Sequence, residues 1–267
     1  MTVSVVYNQS KDKDGKIIDA VKRALEGKTD LKIFTEKITS YDLENSDMVI
    51  ALGGDGTIIR ASKATAEHGI PVCGVNLGRI GFLAAIEPDE IENAAAKLLS
   101  GNFIIEERMM LEAEVVVEGE IITATALNDI IVSRGNCHKM IDISIESDGE
   151  HLDDFRADGV VISTPTGSTA YSLSAGGPVI SPTMDVFLVT PVCAYDLQSR
   201  SMVLTSDGTL AVTAKGKLPA SIEVDGAEIA KLGRDDVIKI VRSPLKAKII
   251  KMNDRSFLNT LRKKFCK

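Results

Sequence analysis

The hydrophobic period of the chain changes near residue 103, and that change limits the fold more than any other feature. Before it, short apolar runs at residues 3–7, 31–35, 48–52 and 72–76 alternate with helical stretches at 11–26, 57–67 and 88–99. The run at 48–52, Met-Val-Ile-Ala-Leu, is almost unbroken, as expected of a parallel strand covered on both faces. Residues 88–99 read most clearly as helix: Ile91, Ala94, Ala95, Leu98 and Leu99 share one face, Pro88 stands near the start, and Gly101 lies beyond the end. After residue 103 the period shortens to two: Leu111, Ala113, Val115 and Val117 alternate with more polar neighbours, as do Ile141, Ile143 and Ile145. Further short strands are expected at 160–163, 186–189, 202–204, 210–214, 221–224, 237–242 and 248–252, and a basic tail closes the chain.

The predicted fold is an α/β, doubly wound N-terminal domain (1–103) followed by a mostly β, antiparallel C-terminal domain (104–245). Residues 246–267 form a tail expected to pack back on the first domain. A chain of 267 residues with 44% hydrophobic and 26% charged residues can build such cores unaided. Its net charge of -7 gives no long-range attraction for nucleic acid or an anionic membrane, and 4% aromatics with no Trp offers few stacking surfaces for single strands. An anionic ligand would therefore need local devices: backbone amides, a few cations and a metal ion. Cys73, Cys137, Cys193 and Cys266 lack any C-x-x-C spacing, which argues against zinc and for buried thiols in a reducing compartment. With no signal-like start and no run long enough to span a bilayer, a cytoplasmic protein is expected.

Gly53-Gly54-Asp55-Gly56-Thr57 directly follows the apolar run at 48–52. Glycines there permit a sharp turn at a strand's carboxyl end and let amides approach a phosphate. A carboxylate in such a turn is unfavourable by itself, since two like charges 4 Å apart cost about 4 kcal/mol at an effective dielectric near 20. The conflict resolves if Mg²⁺ neutralises the phosphates, or if Asp55 faces an acceptor hydroxyl. A second hydroxyl-rich turn, Thr164-Pro165-Thr166-Gly167-Ser168-Thr169, links a strand at 159–163 to a possible helix at 170–174 and suits phosphates or ribose hydroxyls.

Together, GGDGT at 53–57, NLGRIGFL at 76–83, Asn128-Asp129 and DGVVISTPTGSTAYSLSAGGP at 158–178 resemble the NAD kinase family, in order and spacing, over nearly the whole chain. The first block alone is also found in lipid kinases and phosphofructokinases; the last is far more specific. The resemblance implies a soluble enzyme that uses ATP or polyphosphate with Mg²⁺ to phosphorylate the adenosine-ribose 2′-hydroxyl of NAD, giving NADP, as a homodimer or homotetramer. It implies that Asp55 orients the hydroxyl and accepts its proton, and that Gly56, Phe82, Asn128, Asp129, Asp158, Thr169, Ala170, Tyr171 and Ser174 bind NAD. Gly53, Gly54 and Thr57 are then expected at phosphate, with Arg60, Lys139 and Arg156 as candidate cations and Arg79 as a further one; no protein ligand for the metal is expected. The chain departs from the family pattern at Asp129, where Glu is commoner, at Ala194 and Tyr195, where Pro and His are often found, and at Ala227, where Gln is frequent. His68, His138 and His151 are read as surface or helix-end residues. A lipid kinase would need an apolar groove or basic face, and a Rossmann dehydrogenase would need G-x-G-x-x-G after the first strand, where Asn8-Gln9-Ser10 stands instead.

Overall fold

A computed structural model describes residues 1–35, 37–78, 81–216, 218–252 and 256–265. The chain divides into two compact units, Met1–Arg108 with Lys246–Lys267, and Met109–Leu245.

In the first unit, β1 (Thr2–Tyr7), α1 (Lys16–Leu25), β2 (Asp30–Thr35), α2 (Ser40–Leu43), β3 (Met48–Gly53), α3 (Asp55–Ala66), β4 (Val72–Asn76) and α4 (Ile91–Leu99) follow in order. The strands are parallel and lie in the order β2-β1-β3-β4. Every residue of β3 and β4 is buried, which explains their unbroken apolar sequence. One face of the sheet (Val3, Val5, Ile50, Leu52, Val75) packs on α1 and α4 through Val21, Leu25, Ala94 and Leu98. Ile58 of α3 meets Gly74, whose neighbours Cys73 and Val75 belong to that first face, so α3 covers the opposite one. A Cβ on Gly74 would come within 2.3 Å of the Ile58 Cδ1 atom, so only glycine lets this helix approach. The sheet is doubly wound, as expected, and its order reverses between β1 and β3.

One expectation needs correction here. The first helix begins at Lys16 rather than 11. Gly15 turns left-handed at φ 68° and the Asp12 carboxylate accepts the N–H groups of Ile17 and Ile18, so residues 8–15 form a loop and cap instead of a first helical turn. Within the basic tail, Phe257–Phe265 is helical.

The second unit is antiparallel β. The chain enters it along β5 (Ile104–Val117) and continues through β6 (Glu120–Ala126), β7 (Asp129–Ser133), β8 (Ile141–Ser147), β9 (Glu150–Ala157), β10 (Gly159–Ser163) and the single helical turn α5 (Tyr171–Ser174). Then follow β11 (Val186–Val192), β12 (Met202–Thr205), β13 (Leu210–Lys215), β14 (Ala220–Val224), β15 (Ala227–Leu232) and β16 (Val237–Lys251), which leads back into the first unit before α6 (Phe257–Phe265). The strands at 237–242 and 248–252 are thus parts of one; Pro244 lies exposed within it. Within the unit, β16, β13, β8 and β9 pair in sequence, and β12-β11-β10-β7-β14-β15 form a second sheet. The two sheets face each other across a core of Leu111, Ile143, Val212 and Ile240 on one side and Ile130, Val132, Val160, Ile162, Phe187 and Ile222 on the other. Because side chains alternate along a strand, Asp129, Ile131, Ser133, Gly159 and Glu223 lie on the outer face of the second sheet.

Of the cysteines, only Cys73 fits the expectation of a buried thiol, its pKa pushed up to about 12 by burial. Cys137 is half-buried and Cys193 exposed, while Cys266 lies outside the described residues.

Candidate active site

Ligands of open α/β sheets bind at the carboxyl ends of strands where the strand order reverses. In the first unit that point lies between β1 and β3, and Gly53-Gly54-Asp55-Gly56-Thr57 occupies the end of β3. Gly54 is the N-cap of α3 and Asp55 its first residue, so its carboxylate stands at the positive end of a 12-residue helix. Asp55 accepts the N–H of Phe82 at 3.0 Å and that of Leu83 at 3.3 Å. A Cβ on Gly81 would sit 2.0 Å from the Asp55 Oδ1 atom, so residues 81–83 close on Asp55 only because position 81 is glycine. Gly53 gives similar room to Thr57, whose Oγ1 atom would be 2.2 Å from a Cβ there. Thr57 is buried, Gly56 exposed, and Arg60 exposed on the next turn of α3.

Phe82 faces α6. Its ring centroid is 5.9 Å from that of Phe257 and 6.2 Å from that of Phe265, and the Lys264 Nζ atom lies 4.1 Å over its face. Arg79 lies outside the described residues. Two lysines emerge that the sequence reading passes over. The Lys11 Nζ atom reaches the glycine turn, within 2.7 Å of where a Cβ on Gly54 would stand, because residue 11 lies in the loop before α1 and not in the helix. Lys251 donates to the Phe82 carbonyl at 3.2 Å and the Leu83 carbonyl at 3.4 Å. A lysine within the apolar run Ile249-Ile250-Lys251-Met252 was its sequence signal.

In the second unit, a cavity of about 570 Å³ opens on the outer face of the β7–β10–β14 sheet. It gathers Asn128, Asp129, Asp158, Ala170 and Tyr171 from the expected set, and adds Arg134, Cys193, Glu223 and Asp225. The centre of its construction is the turn between β14 and β15. Asp225 and Gly226 both hold positive φ, 49° and 79°, the conformation of a tight two-residue hairpin for which Asp-Gly is suited. This turn aims the Asp225 carboxylate back at the start of β7, where it accepts the N–H groups of Leu127 (3.0 Å), Asn128 (2.8 Å) and Asp129 (3.3 Å). From the other side Thr164 N–H donates to the Asn128 carbonyl, against which Gly167 packs so closely that a Cβ would be 2.2 Å from that oxygen. The hydroxyl-rich turn therefore serves first as a brace for Asn128: Thr164 Oγ1 donates to Leu127 O, and Ser168 and Thr169 bond within their own turn.

Asp129 is 4% exposed. Burial, and then the neighbouring Asp225 and Glu223, push its pKa up to about 7. Asp158 accepts a 2.7 Å hydrogen bond from Arg134 Nε, which makes Arg134 the cavity's cation. Tyr171 is held above its ordinary pKa by burial and by the acidic groups around it.

The remaining candidates stand elsewhere. Arg156 projects from β9 beside Asp142 at 3.7 Å, a cross-strand ion pair on an exposed surface. Lys139 is exposed in the β7–β8 connection, and Ser174 is exposed at the end of α5. Tyr195 is 77% exposed. Among the described residues, no cluster of three His, Cys, Asp or Glu side chains could hold a metal ion. Nor, among them, is any helix long and apolar enough to cross a membrane.

Comparison with known proteins bears on the family and the fold. Residues 5–103 match the ATP-NAD kinase N-terminal domain and residues 106–252 the ATP-NAD kinase C-terminal domain. The NAD kinase of Natranaerobius thermophilus is 42% identical over 83% of this chain and 78% of its own. That of Ruminiclostridium cellulolyticum is 35% identical over 98% and 96%. An NAD kinase from Archaeoglobus fulgidus, solved in complex with ATP, superposes with a TM-score of 0.82 at 28% identity, covering 98% of both chains. A yeast NADH kinase, solved with NADH, shares the fold with a TM-score of 0.86 at 24% identity, over 98% of this chain and 86% of that one. With both of its units matched in order, the chain belongs to the NAD kinase family.

Proposed function

We propose that this member of the NAD kinase family transfers the terminal phosphoryl group of ATP to the adenosine-ribose 2′-hydroxyl of NAD, with Asp55 orienting that hydroxyl and accepting its proton. The observation that carries the role of Asp55 is its placement: a carboxylate at the amino end of α3, at the reversal of strand order, steadied by two backbone amides. A carboxylate is a weak base for an alcohol, so proton transfer comes late, when the phosphoryl group is already moving and the hydroxyl has become acidic. Mg²⁺ enters with the donor, bound to its phosphates, as part of the substrate.

The other roles follow unit by unit. Gly53, Gly54 and Gly56 leave amides open to phosphate, and Lys11 joins Arg60 as a nearby cation. In the second unit Asn128 and Asp129, fixed by Asp225, bind the nucleotide, and Asp158 with Arg134 binds a ribose; Ala170 and Tyr171 form the apolar side of that cavity. Thr169, Ser174 and Phe82 belong to the same reading as adenosine contacts, and Lys139 and Arg156 as outer cations. Polyphosphate is the alternative donor. Assembly as a homodimer or homotetramer and a cytoplasmic location complete the proposal.

The test is NADP formation from NAD, ATP and Mg²⁺ by the purified protein beside Asp55→Asn. The variant should lose about 100- to 10,000-fold in kcat, the range of one general base. A variant at the wild-type rate would remove Asp55 from the mechanism.

A further inference from the structure

We propose that Lys251 is a positioning residue for the phosphoryl transfer, holding the Phe82–Leu83 segment whose amides in turn hold Asp55. Lys251 takes the carbonyls of residues 82 and 83 at 3.2 and 3.4 Å, while Asp55 takes the N–H groups of the same two residues at 3.0 and 3.3 Å. The carbonyl of Phe82 and the N–H of Leu83 belong to one peptide group. Ammonium and carboxylate therefore sit at opposite ends of a single amide dipole, and each polarises it toward the other. A methionine of similar length could fill the space beside Ile250 and Met252; only a donor satisfies the two carbonyls. Gly81 completes the device by leaving the Asp55 carboxylate room to reach the amides.

The surroundings make this link sensitive to pH. Among the described residues, Arg108 and Glu106 of β5, Asp55 of α3 and Cys73 of β4 are the charged and titratable groups that act on Lys251. Burial, then Arg108, lower its pKa against the opposing pull of Glu106 and Asp55, to about 8. The ammonium is present below that value and is lost as pH rises through it, loosening both carbonyl bonds. The prediction is an alkaline fall in kcat whose origin lies one peptide group away from the carboxylate.

The inference rests on the reading of Asp55 given above, and the experiment separates the two. kcat and KM for NAD are measured from about pH 6.5 to about pH 9.5 for wild type, Lys251→Met, Lys251→Arg, Lys251→Gln and Asp55→Asn, with melting temperatures alongside. Lys251→Met should lower kcat roughly 10- to 100-fold, the cost of a slightly misplaced catalytic group, with KM for NAD changed less than about twofold. Lys251→Arg, a donor that stays charged, should keep kcat and abolish the alkaline fall. A folded Met variant with wild-type kcat, or an alkaline fall that persists in the Arg variant, overturns the proposal. If the Met variant melts early, the Gln variant decides: a reduced, pH-flat kcat supports the role, and a wild-type profile refutes it. Loss of activity in Asp55→Asn without loss in Lys251→Met refutes Lys251 alone. Wild-type kcat in Asp55→Asn refutes both readings.

Discussion

Replacing Asp129 with Asn should make the protein more stable at alkaline than at acid pH relative to wild type, by an amount the surroundings of Asp129 set. The folded carboxyl has its pKa raised from 3.8 to about 7, so between those values the folded state holds a proton that the unfolded chain has released. Stability then falls as pH rises through this window, because ionising the buried group beside Asp225 and Glu223 is unfavourable. Each pKa unit is worth about 1.36 kcal/mol, so the whole shift corresponds to roughly 4 kcal/mol, of which about 2.5 kcal/mol accrues between about pH 5 and about pH 8. Asparagine has nearly the same shape and does not titrate. Groups that do not interact with Asp129 contribute equally to both proteins, so the difference in unfolding free energy, measured in urea at the two pH values, reports Asp129 with its coupled neighbours Asp225 and Glu223. The variant's advantage should grow by about 2.5 kcal/mol from the lower pH to the higher. A difference that stays constant across the window would show that Asp129 ionises normally and that its burial is relieved in some other way.

Gly81→Ala should lower kcat by about tenfold or more with little change in stability, since the new Cβ displaces the side-chain carboxylate of Asp55 rather than the backbone. Steady-state kinetics with a melting curve tests it; an unchanged kcat would mean that Asp55 works in another position. Gly167→Ala presses instead on the Asn128 backbone, with contacts of 2.2, 2.5 and 2.7 Å to its O, C and Cα atoms. It should cost about 3 kcal/mol in urea unfolding and raise KM for NAD, and a neutral substitution would contradict the brace described for Asn128.

Local features of the sequence carried much of this structure, and distant ones did not. The buried run ending in Gly53-Gly54-Asp55 could only be a covered strand meeting a turn, and it is. Strand β6 escaped notice because it pairs only with β5 and leaves Ile121 68% exposed, so its apolar residues follow no single buried face. Strand β16 looked like two because Pro244 normally interrupts a ladder; an exposed position tolerates it. Helix α6 has no fully buried residue, and its basic last turn reads as a tail. The cavity of the second unit was half legible. Asn128, Asp129, Asp158, Ala170 and Tyr171 came from motifs, whereas Asp225 meets Leu127 across 98 positions of sequence, a pairing no local pattern encodes.

A common construction explains why those distant partners matter. In each unit a carboxylate of the candidate site binds consecutive backbone amides: Asp55 on residues 82 and 83, and Asp225 on residues 127 to 129. A carboxylate accepting two or three N–H groups fixes a loop more firmly than neutral hydrogen bonds would, because each bond is charge-assisted. The device also brings negative charge beside an anionic substrate. In the first unit Lys251 and Lys11 stand against it, the former through the same peptide segment. In the second unit burial, and then the added charge of Asp225, raise the pKa of Asp129 to about 7. Positioning and electrostatics are thus coupled at both places. Removing a clamping carboxylate loosens the loop and changes the local charge together, so isosteric amides at Asp55 and Asp225, which retain the shape, discriminate between the two effects where alanine cannot.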